Sequence, residues 1–308
     1  MRDTYDMTQD RILYHYTGLA TLREILLSGC MRFTDFRYLN DAKEFSLALE
    51  PESPFAQALQ DRLRNCTYST RSKDDAIDGE HRFLQDYRRF LDEVEFVGVA
   101  CFSCADDSLS QWGAYCPKSA GVAIGFNRGR LAAFGGDLQI SLHRCNYVDS
   151  RDPSTFATSI DRLHGDLLNW RDRSTASSLM YYTRSLMSGF GTLKHHAFSA
   201  ESEYRLISPV LSSTRISIET ETCGNHDVKV EFRAGSHCLI PFVDMPKFSE
   251  EPRDGAAKRP SLLDAIEEIV IGPTVHPEQS SRSVSMMLKA QGLERVKVRQ
   301  TLVPFRSM

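Results

Sequence analysis

Two continuous apolar runs constrain the fold more than any other feature of this sequence. Residues 96–102 and 121–126 each have the length of a strand and contain no charged side chain. A strand that is apolar without alternation is typical of one with both faces covered. The sequence therefore predicts a central sheet that is packed on both sides.

Further helix and strand patterns surround these two runs. Helical spacing of apolar residues is found at 83–94, 108–115, 155–188 and 279–291, and strand patterns at 138–142, 204–207, 216–218, 228–232, 238–242, 266–271 and 296–303. The order does not follow a strict βαβ rhythm, which favours an α+β fold with mixed, largely antiparallel sheets and flanking helices. We predict one domain over residues 1–308, with variable insertions near 51–95, 150–190 and 243–262.

Near its start, the chain has a strand that leads directly into a helix. Residues 13–17 have strand character, and the helix that follows carries one apolar stripe formed by Leu19, Leu22, Ile25 and Leu26. We expect Thr17 to cap this helix and Gly29 to end it. Tyr14, His15 and Tyr16 then lie at a strand end, where side chains can be presented at the rim of a sheet.

Composition excludes several classes of protein. The chain has 308 residues, 41% hydrophobic and 25% charged, which is ordinary for a globular protein. Its net charge of -4 argues against binding duplex DNA by charge alone. No signal-like segment follows the first residues and no run reaches about 18 apolar residues, so we expect a cytoplasmic protein without a membrane partner. The eight cysteines do not form a disulfide-like framework and are expected to be reduced.

The segment containing Glu201, Glu203 and Arg205 is the sharpest candidate site. If these residues occupy one strand, all three share a face, while Tyr204 and Leu206 point into the core. Spacing alone favours a row of exposed charges. The functional alternative is a carboxylate pair with a positioning cation at the mouth of a pocket.

Metal and phosphate sites have little support in the sequence. Cys101 and Cys104 form one Cys-x-x-Cys pair, but no second pair completes a zinc site. His195 and His196 are adjacent, so they would face opposite sides of a strand. There is no Gly-x-Gly-x-x-Gly, no Walker motif and no Gly-x-Ser-x-Gly elbow. We expect no bound metal.

Trp112 and Tyr115 lie in the short helix predicted over 108–115. Such aromatic residues most often pack a helix against the core. They could also form a wall that stacks on a flat ligand.

Several of these segments together resemble the bacterial DUF2971 family. The similarity covers nearly the whole chain and rests on Tyr14, His15, Tyr16, Thr17, Leu22, Ile25, Leu26, Gly29, Asn40, Asp41, Glu44, Cys101, Phe102, Ser103, Trp112, Tyr115, Gly121, Gly125, Phe126, Phe198, Glu201, Glu203, Arg205, residues 269–273 and residues 304–306. Cys104 departs from the family pattern, in which this position is more often polar.

The opening is more remotely similar to ADP-ribosyltransferases, including DNA-targeting toxins. That superfamily has a His or Arg on a first strand, a Ser, Thr or Tyr on a middle strand and a Glu on a late strand, positions that His15, Ser103 and Glu203 occupy in order. The resemblance implies a split sheet and NAD as a substrate, without a metal. Bacterial conflict or phage defence is one setting for such an enzyme.

The same resemblance implies a role for each candidate residue. Glu203 would stabilise an oxocarbenium-like ribose and Glu201 would orient or deprotonate the acceptor. His15 would hydrogen-bond the ribose, with Thr17 or Ser103 as support. Tyr16, Trp112 or Tyr115 could stack on nicotinamide, and Arg205 and Asn40 could steady the diphosphate or the loop after the first helix. Tyr14 is also expected among the residues that bind the cofactor.

Two other functions remain open from the sequence. The chain could be a non-catalytic module that binds a nucleotide or a protein, or an NAD glycohydrolase that uses water as acceptor. The acceptor of an ADP-ribosyltransferase, whether nucleic acid or protein, is not determined by these residues.

Overall fold

The computed structural model describes most of the residues that surround the predicted central sheet. The described residues are 11–39, 94–138, 140–149, 191–211, 216–220, 224–246 and 261–304, with a few isolated positions between them. The predicted helices at 83–94 and 155–188, most of the three predicted insertions, and Asn40 lie outside this part of the chain.

The described residues form fourteen strands. In chain order they are β1 Ile12–Gly18, β2 Met31–Asp35, β3 Phe96–Ser103, β4 Gly121–Asn127, β5 Ser141–Arg144, β6 Asn146–Val148, β7 Leu193–His195, β8 Glu203–Leu211, β9 Ile216–Thr220, β10 Gly224–Val228, β11 Glu231–Ala234, β12 Leu239–Met245, β13 Ile266–Ile271 and β14 Lys297–Gln300.

Five α-helices and two short 3-10 helices accompany these strands in the continuous described ranges. The α-helices are α1 Leu19–Ser28, α2 Leu109–Tyr115, α3 Arg128–Asp137, α4 Leu262–Ala265 and α5 Pro277–Ala290, and the 3-10 helices are Phe36–Tyr38 and His196–Glu201. None of the helices in the described residues is long and apolar enough to cross a membrane.

One ten-stranded sheet contains most of these strands. Its main path runs β11-β12-β2-β3-β1-β4-β13-β14, and β8 pairs with both β3 and β5 beside that path. The pairs are antiparallel except for β13 with β14. This confirms the predicted α+β class with a largely antiparallel sheet.

Strand β3 is the junction of the sheet. Along one edge it pairs with β8 through almost its whole length. It also pairs with β2 near its start and with β1 only at Ser103, opposite Tyr14. Because β1 and β8 both pair with β3 at Ser103, residues from three separate parts of the chain meet there.

Helices cover both faces of the central strands, as the apolar runs predict. On one face, α1, α3, α4 and α5 pack on the main core through buried residues such as Leu26, Phe134, Leu262 and Leu288. On the other face, Trp112 of α2 packs in a smaller cluster with Tyr14, Tyr16, Ala123 and Val270. The strands 96–103 and 121–127 are buried almost throughout.

Two local expectations were wrong. Thr17 belongs to β1, Gly18 occupies the N-cap of α1, and no side chain caps that helix. Gly29 does end α1, with the positive φ of 67° that glycine tolerates best.

Residues 138–142 were predicted as a strand, but α3 extends to Asp137 and β5 begins only at 141. Asn127 caps α3 by accepting a hydrogen bond from Arg130 N at 3.1 Å.

The tight approach of β2 and β3 gives a first prediction. A Cβ added at Gly98 would lie 2.7 Å from Cβ of Phe33 and 3.0 Å from the Phe96 ring. Cβ of Phe33 cannot rotate away, so Gly98→Ala should force the strands apart and cost about 1–3 kcal/mol of unfolding free energy. Chemical denaturation measures this loss.

Gly113 provides the matched control. It lies in helix α2, and a Cβ added there would meet open space among the described residues. Gly113→Ala should be neutral or stabilise the protein by up to about 1 kcal/mol. Equal effects of the two substitutions would show that packing at Gly98 is not tight.

Candidate functional site

Three predicted residues on neighbouring strands form a row. Tyr14 of β1 pairs with Ser103 of β3, and Ser103 pairs with Glu203 of β8. Directly opposed residues of antiparallel strands project from the same face of a sheet. The row therefore brings together residues that are far apart in the sequence.

A pocket opens at this row. It encloses about 360 Å³, including the part open to solvent, and it is lined by Tyr14, His15, Tyr16, Cys101, Phe102, Ser103, Gln111, Tyr115, Glu201 and Glu203. Seven of the eleven residues predicted for the site line it.

His15 lies where β1 and β3 part. Its Nδ1 is 2.9 Å from the carbonyl oxygen of Cys101, and a carbonyl can only accept, so Nδ1 carries the proton. Burial lowers the pKa of His15, an effect that the hydrogen bond to Cys101 only partly opposes. The ring is therefore neutral near pH 7, with Nε2 as a hydrogen-bond acceptor.

Glu203 is a buried and ion-paired carboxylate. Its residue is 4% exposed. Arg205 donates to it twice, from Nε to Oε1 at 2.9 Å and from Nη2 to Oε2 at 3.0 Å, and Lys194 Nζ donates to Oε2 at 2.7 Å. Burial alone would raise the pKa of Glu203, but the charges and hydrogen bonds of Arg205 and Lys194 lower it to about 2.

The predicted orientation of this segment was therefore wrong. Glu203 and Arg205 do share a face of β8, but that face is buried, as are Tyr204 and Leu206 on the other. Glu201 precedes the strand, in the 3-10 helix, and Ser202 separates the two glutamates with a φ of 46°. Alternation along a single strand cannot describe a segment that turns at its second residue.

Glu201 reaches the same pocket from outside the strand. Tyr115 donates to its Oε1 at 2.8 Å, and Lys194 Nζ donates to its Oε2 at 2.5 Å. The Ser103 hydroxyl donates to the Glu201 carbonyl oxygen at 2.6 Å. The two carboxylates thus belong to one hydrogen-bonded wall, and the Glu201 side chain keeps 18% of its surface exposed.

Some predicted residues lie behind the pocket. Arg205 is 0% exposed and also donates to the carbonyl of Gly191 at 2.9 Å, so it does not present its guanidinium to a ligand. Trp112 packs edge-on against Tyr16 with ring centroids 4.7 Å apart, and its Nε1 donates to Asp107. These two residues and Thr17 are not in the pocket lining.

Sequence reasoning missed other members of the site. Lys194, on β7, contacts both carboxylates, and Gln111 lines the pocket from α2. Tyr147, on β6, accepts a hydrogen bond from the backbone N of Glu203 at 2.7 Å. None belongs to a recognisable motif. The segment 201–205 contains two carboxylates but only one arginine, and this imbalance was the only signal in the sequence for another buried cation.

The described residues contain no group of three or more His, Cys, Asp or Glu side chains that could hold a metal ion. Cys101 and Cys104 are not joined in a disulfide. His195 caps the 3-10 helix by accepting from Ala197 N, and His196 lies 3.5 Å from Asp149.

One protein-family model matches part of the chain. Residues 111–206 match DUF2971, which is described as a protein of unknown function. The matched segment includes Gln111, Tyr115, Lys194, Glu201 and Glu203, so it supplies the carboxylate wall of the pocket. No curated protein and no solved structure matches the chain significantly.

Burial of the ion pairs changes what substitution of Glu203 should do. Glu203→Gln leaves Arg205 and Lys194 with one carboxylate between them, and breaking a buried pair in this way costs about 3–5 kcal/mol. Thermal and chemical unfolding should therefore show a large loss of stability. Glu267→Gln removes a carboxylate that is 30% exposed and should change stability by less than about 1 kcal/mol.

The lowered pKa of Glu203 also predicts an acid transition. The unfolded carboxyl has its ordinary value of 4.5, and the folded one about 2. The folded state therefore gains stability that is complete above pH 4.5 and is lost as pH falls towards 2, amounting to about 3 kcal/mol. Unfolding free energies across this range measure the loss. A Glu203→Gln variant with the same acid slope would contradict it.

Proposed function

We propose that this protein, whose residues 111–206 match the DUF2971 family, is an NAD-dependent ADP-ribosyltransferase-like enzyme. One observation carries the proposal: Tyr14, Ser103 and Glu203 are in register on adjacent strands, and His15 and Glu201 line the same pocket. The resemblance leads one to expect His15, Ser103 and Glu203 on three strands in this order, and His15 is next to Tyr14 on β1.

The sheet supports the proposal where β1 and β3 separate. Their pairing is limited to Tyr14 and Ser103, and the His15 ring reaches the Cys101 carbonyl beside that point. The pocket opens at this point and is lined by residues of both strands. The likeness rests on the order of a few residues along the chain and serves as an analogy for function.

The charges in the pocket suit the cleavage of an N-glycosidic bond. Breaking the bond between ribose and nicotinamide leaves its electron pair on neutral nicotinamide and positive charge on the ribose. Glu203, ionised because of Arg205 and Lys194, supplies fixed negative charge at the pocket wall. It needs no proton transfer to be in the required state at neutral pH.

The other pocket residues have roles that follow from their hydrogen bonds. His15 Nε2 can accept from a ribose hydroxyl or a carboxamide N–H, because Nδ1–H is held by Cys101. Glu201, which is the more exposed carboxylate, would accept the proton lost by the attacking acceptor group. Tyr14, Tyr16 and Tyr115 provide the aromatic walls. Arg205, to which the resemblance gave the diphosphate, instead holds Glu203.

A ligand-sensing module is the second candidate function. It is favoured by the ion pairing of Glu203, since a carboxylate held by Arg205 and Lys194 can also be a purely structural element. In this case the pocket would bind NAD or a related nucleotide without turnover.

Release of nicotinamide from NAD tests the enzyme proposal. Wild-type protein should release it, and Glu203→Gln, assayed at a temperature where its melting curve shows it folded, should be slower by about a hundredfold or more. Glu267→Gln is the matched control and should retain wild-type turnover, because Glu267 contacts Asn127 and Arg130 rather than the pocket.

Glu201→Gln separates the possible acceptors. If Glu201 serves the acceptor, labelling of nucleic acid or protein from labelled NAD should fall more than nicotinamide release does. Nicotinamide release without any labelled acceptor would identify NAD hydrolysis instead. Binding of NAD without turnover by wild-type protein would favour the sensing module, and undiminished turnover by folded Glu203→Gln would end the assignment of that residue.

A further inference from the structure

One buried ammonium group contacts both carboxylates of the site. Lys194 Nζ lies 2.5 Å from Oε2 of Glu201 and 2.7 Å from Oε2 of Glu203, and the residue is 4% exposed. The same ammonium lies 4.9 Å from the centre of the Phe198 ring. Lys194 therefore pairs with one carboxylate from the 3-10 helix, that of Glu201, and with one from β8, that of Glu203.

Without a neighbouring cation, two carboxylates as close and as poorly solvated as those of Glu201 and Glu203 would not both stay ionised. Like charges in a poorly solvated place disfavour double ionisation, so one carboxyl of such a pair keeps a proton to higher pH. Arg205 engages both oxygens of Glu203. The charge that Glu201 and Glu203 share through direct hydrogen bonds is that of Lys194.

We propose that Lys194 is a positioning residue of this site, which keeps the carboxylates of Glu201 and Glu203 ionised together on one wall of the pocket. The inference deepens the proposed function, on which it rests for its catalytic meaning, since both glutamates were assigned roles as anions. Its electrostatic content can be tested without any enzyme activity.

The charges of the four ion-paired residues balance only when Lys194 is present. Two carboxylates, Glu201 and Glu203, face two cations, Lys194 and Arg205. The other titratable groups that surround the pair from neighbouring described elements are uncharged in their ordinary state near neutral pH: His15 on β1, Cys101 on β3, Tyr115 on α2, His143 on β5 opposite Arg205, Cys145 before β6 and Tyr147 on β6. None of these groups can replace the charge of Lys194.

Lys194→Met tests the inference through the pH dependence of stability. In the folded variant, one carboxyl of the Glu201–Glu203 pair should keep a proton at pH values where the same carboxyl of the unfolded chain is already ionised. That contribution to stability is present at low pH and is lost as pH rises. The deficit in Tm relative to wild type should therefore grow by several degrees between pH 5 and pH 8. Lys297→Met, an exposed lysine on β14, is the control and should show no such trend.

A second variant removes the excess negative charge. Lys194→Met with Glu201→Gln leaves one carboxylate, Glu203, facing Arg205. It should recover part of the lost Tm, and its remaining deficit should not vary between pH 5 and pH 8. This variant also serves if Lys194→Met alone does not fold.

The outcomes separate this inference from the proposed function. A deficit of Lys194→Met that is the same at pH 5 and pH 8, or a double variant no more stable than the single one, would overturn the inference whatever the activity. The predicted trend in a protein that does not cleave NAD would retain the inference and reject the enzyme. If wild type does cleave NAD, turnover by Lys194→Met should rise more steeply with pH than wild-type turnover.

Discussion

The buried ion-pair network of Lys194, Glu201, Glu203 and Arg205 is the interaction on which the architecture of this site depends. Charges in a protein interior are tolerated only when their partners and hydrogen bonds are complete. Arg205 is wholly buried and donates to Glu203 and to the carbonyl of Gly191. The start of β8 is therefore fixed to the segment before β7.

The same network joins parts of the chain that are not paired as strands. Lys194 is in the small sheet of β6 and β7, whereas Glu203 is in the large sheet. Tyr147 reinforces this connection by accepting from the Glu203 backbone N, and Cys145 N donates to the Glu203 carbonyl at 2.9 Å. The pocket is consequently built at a junction between two sheets, with α2 providing Tyr115 over it.

Most of the central sheet could be predicted from the sequence, because strands buried on both faces carry continuous apolar runs. Helix α3 could not, since its three glycines, Gly129, Gly135 and Gly136, weaken the helical pattern that Asn127 begins. His15, Ser103 and Glu203 were brought together by a family resemblance rather than by spacing. Lys194 escaped notice because a buried lysine in a three-residue strand has no sequence signature until its carboxylate partners are located.

The orientation of the Glu201–Arg205 segment shows the limit of periodicity more clearly. A period of two correctly placed Glu203 and Arg205 on one face, but it could not tell which environment that face meets. The left-handed Ser202 ends the regular pattern between the glutamates. Burial of that face required, besides the Arg205–Glu203 pair within the strand, a cation from β7, which is a tertiary feature.

The most direct test of this account is a crystal structure with a non-hydrolysable NAD analogue. We expect the nicotinamide riboside part in the pocket at the Tyr14–Ser103–Glu203 row, with a ribose hydroxyl near Glu203 and a donor facing Nε2 of His15. An analogue bound elsewhere, with Glu203 and Lys194 still sealed behind an empty pocket, would contradict the account and leave the ion-pair network as a structural feature.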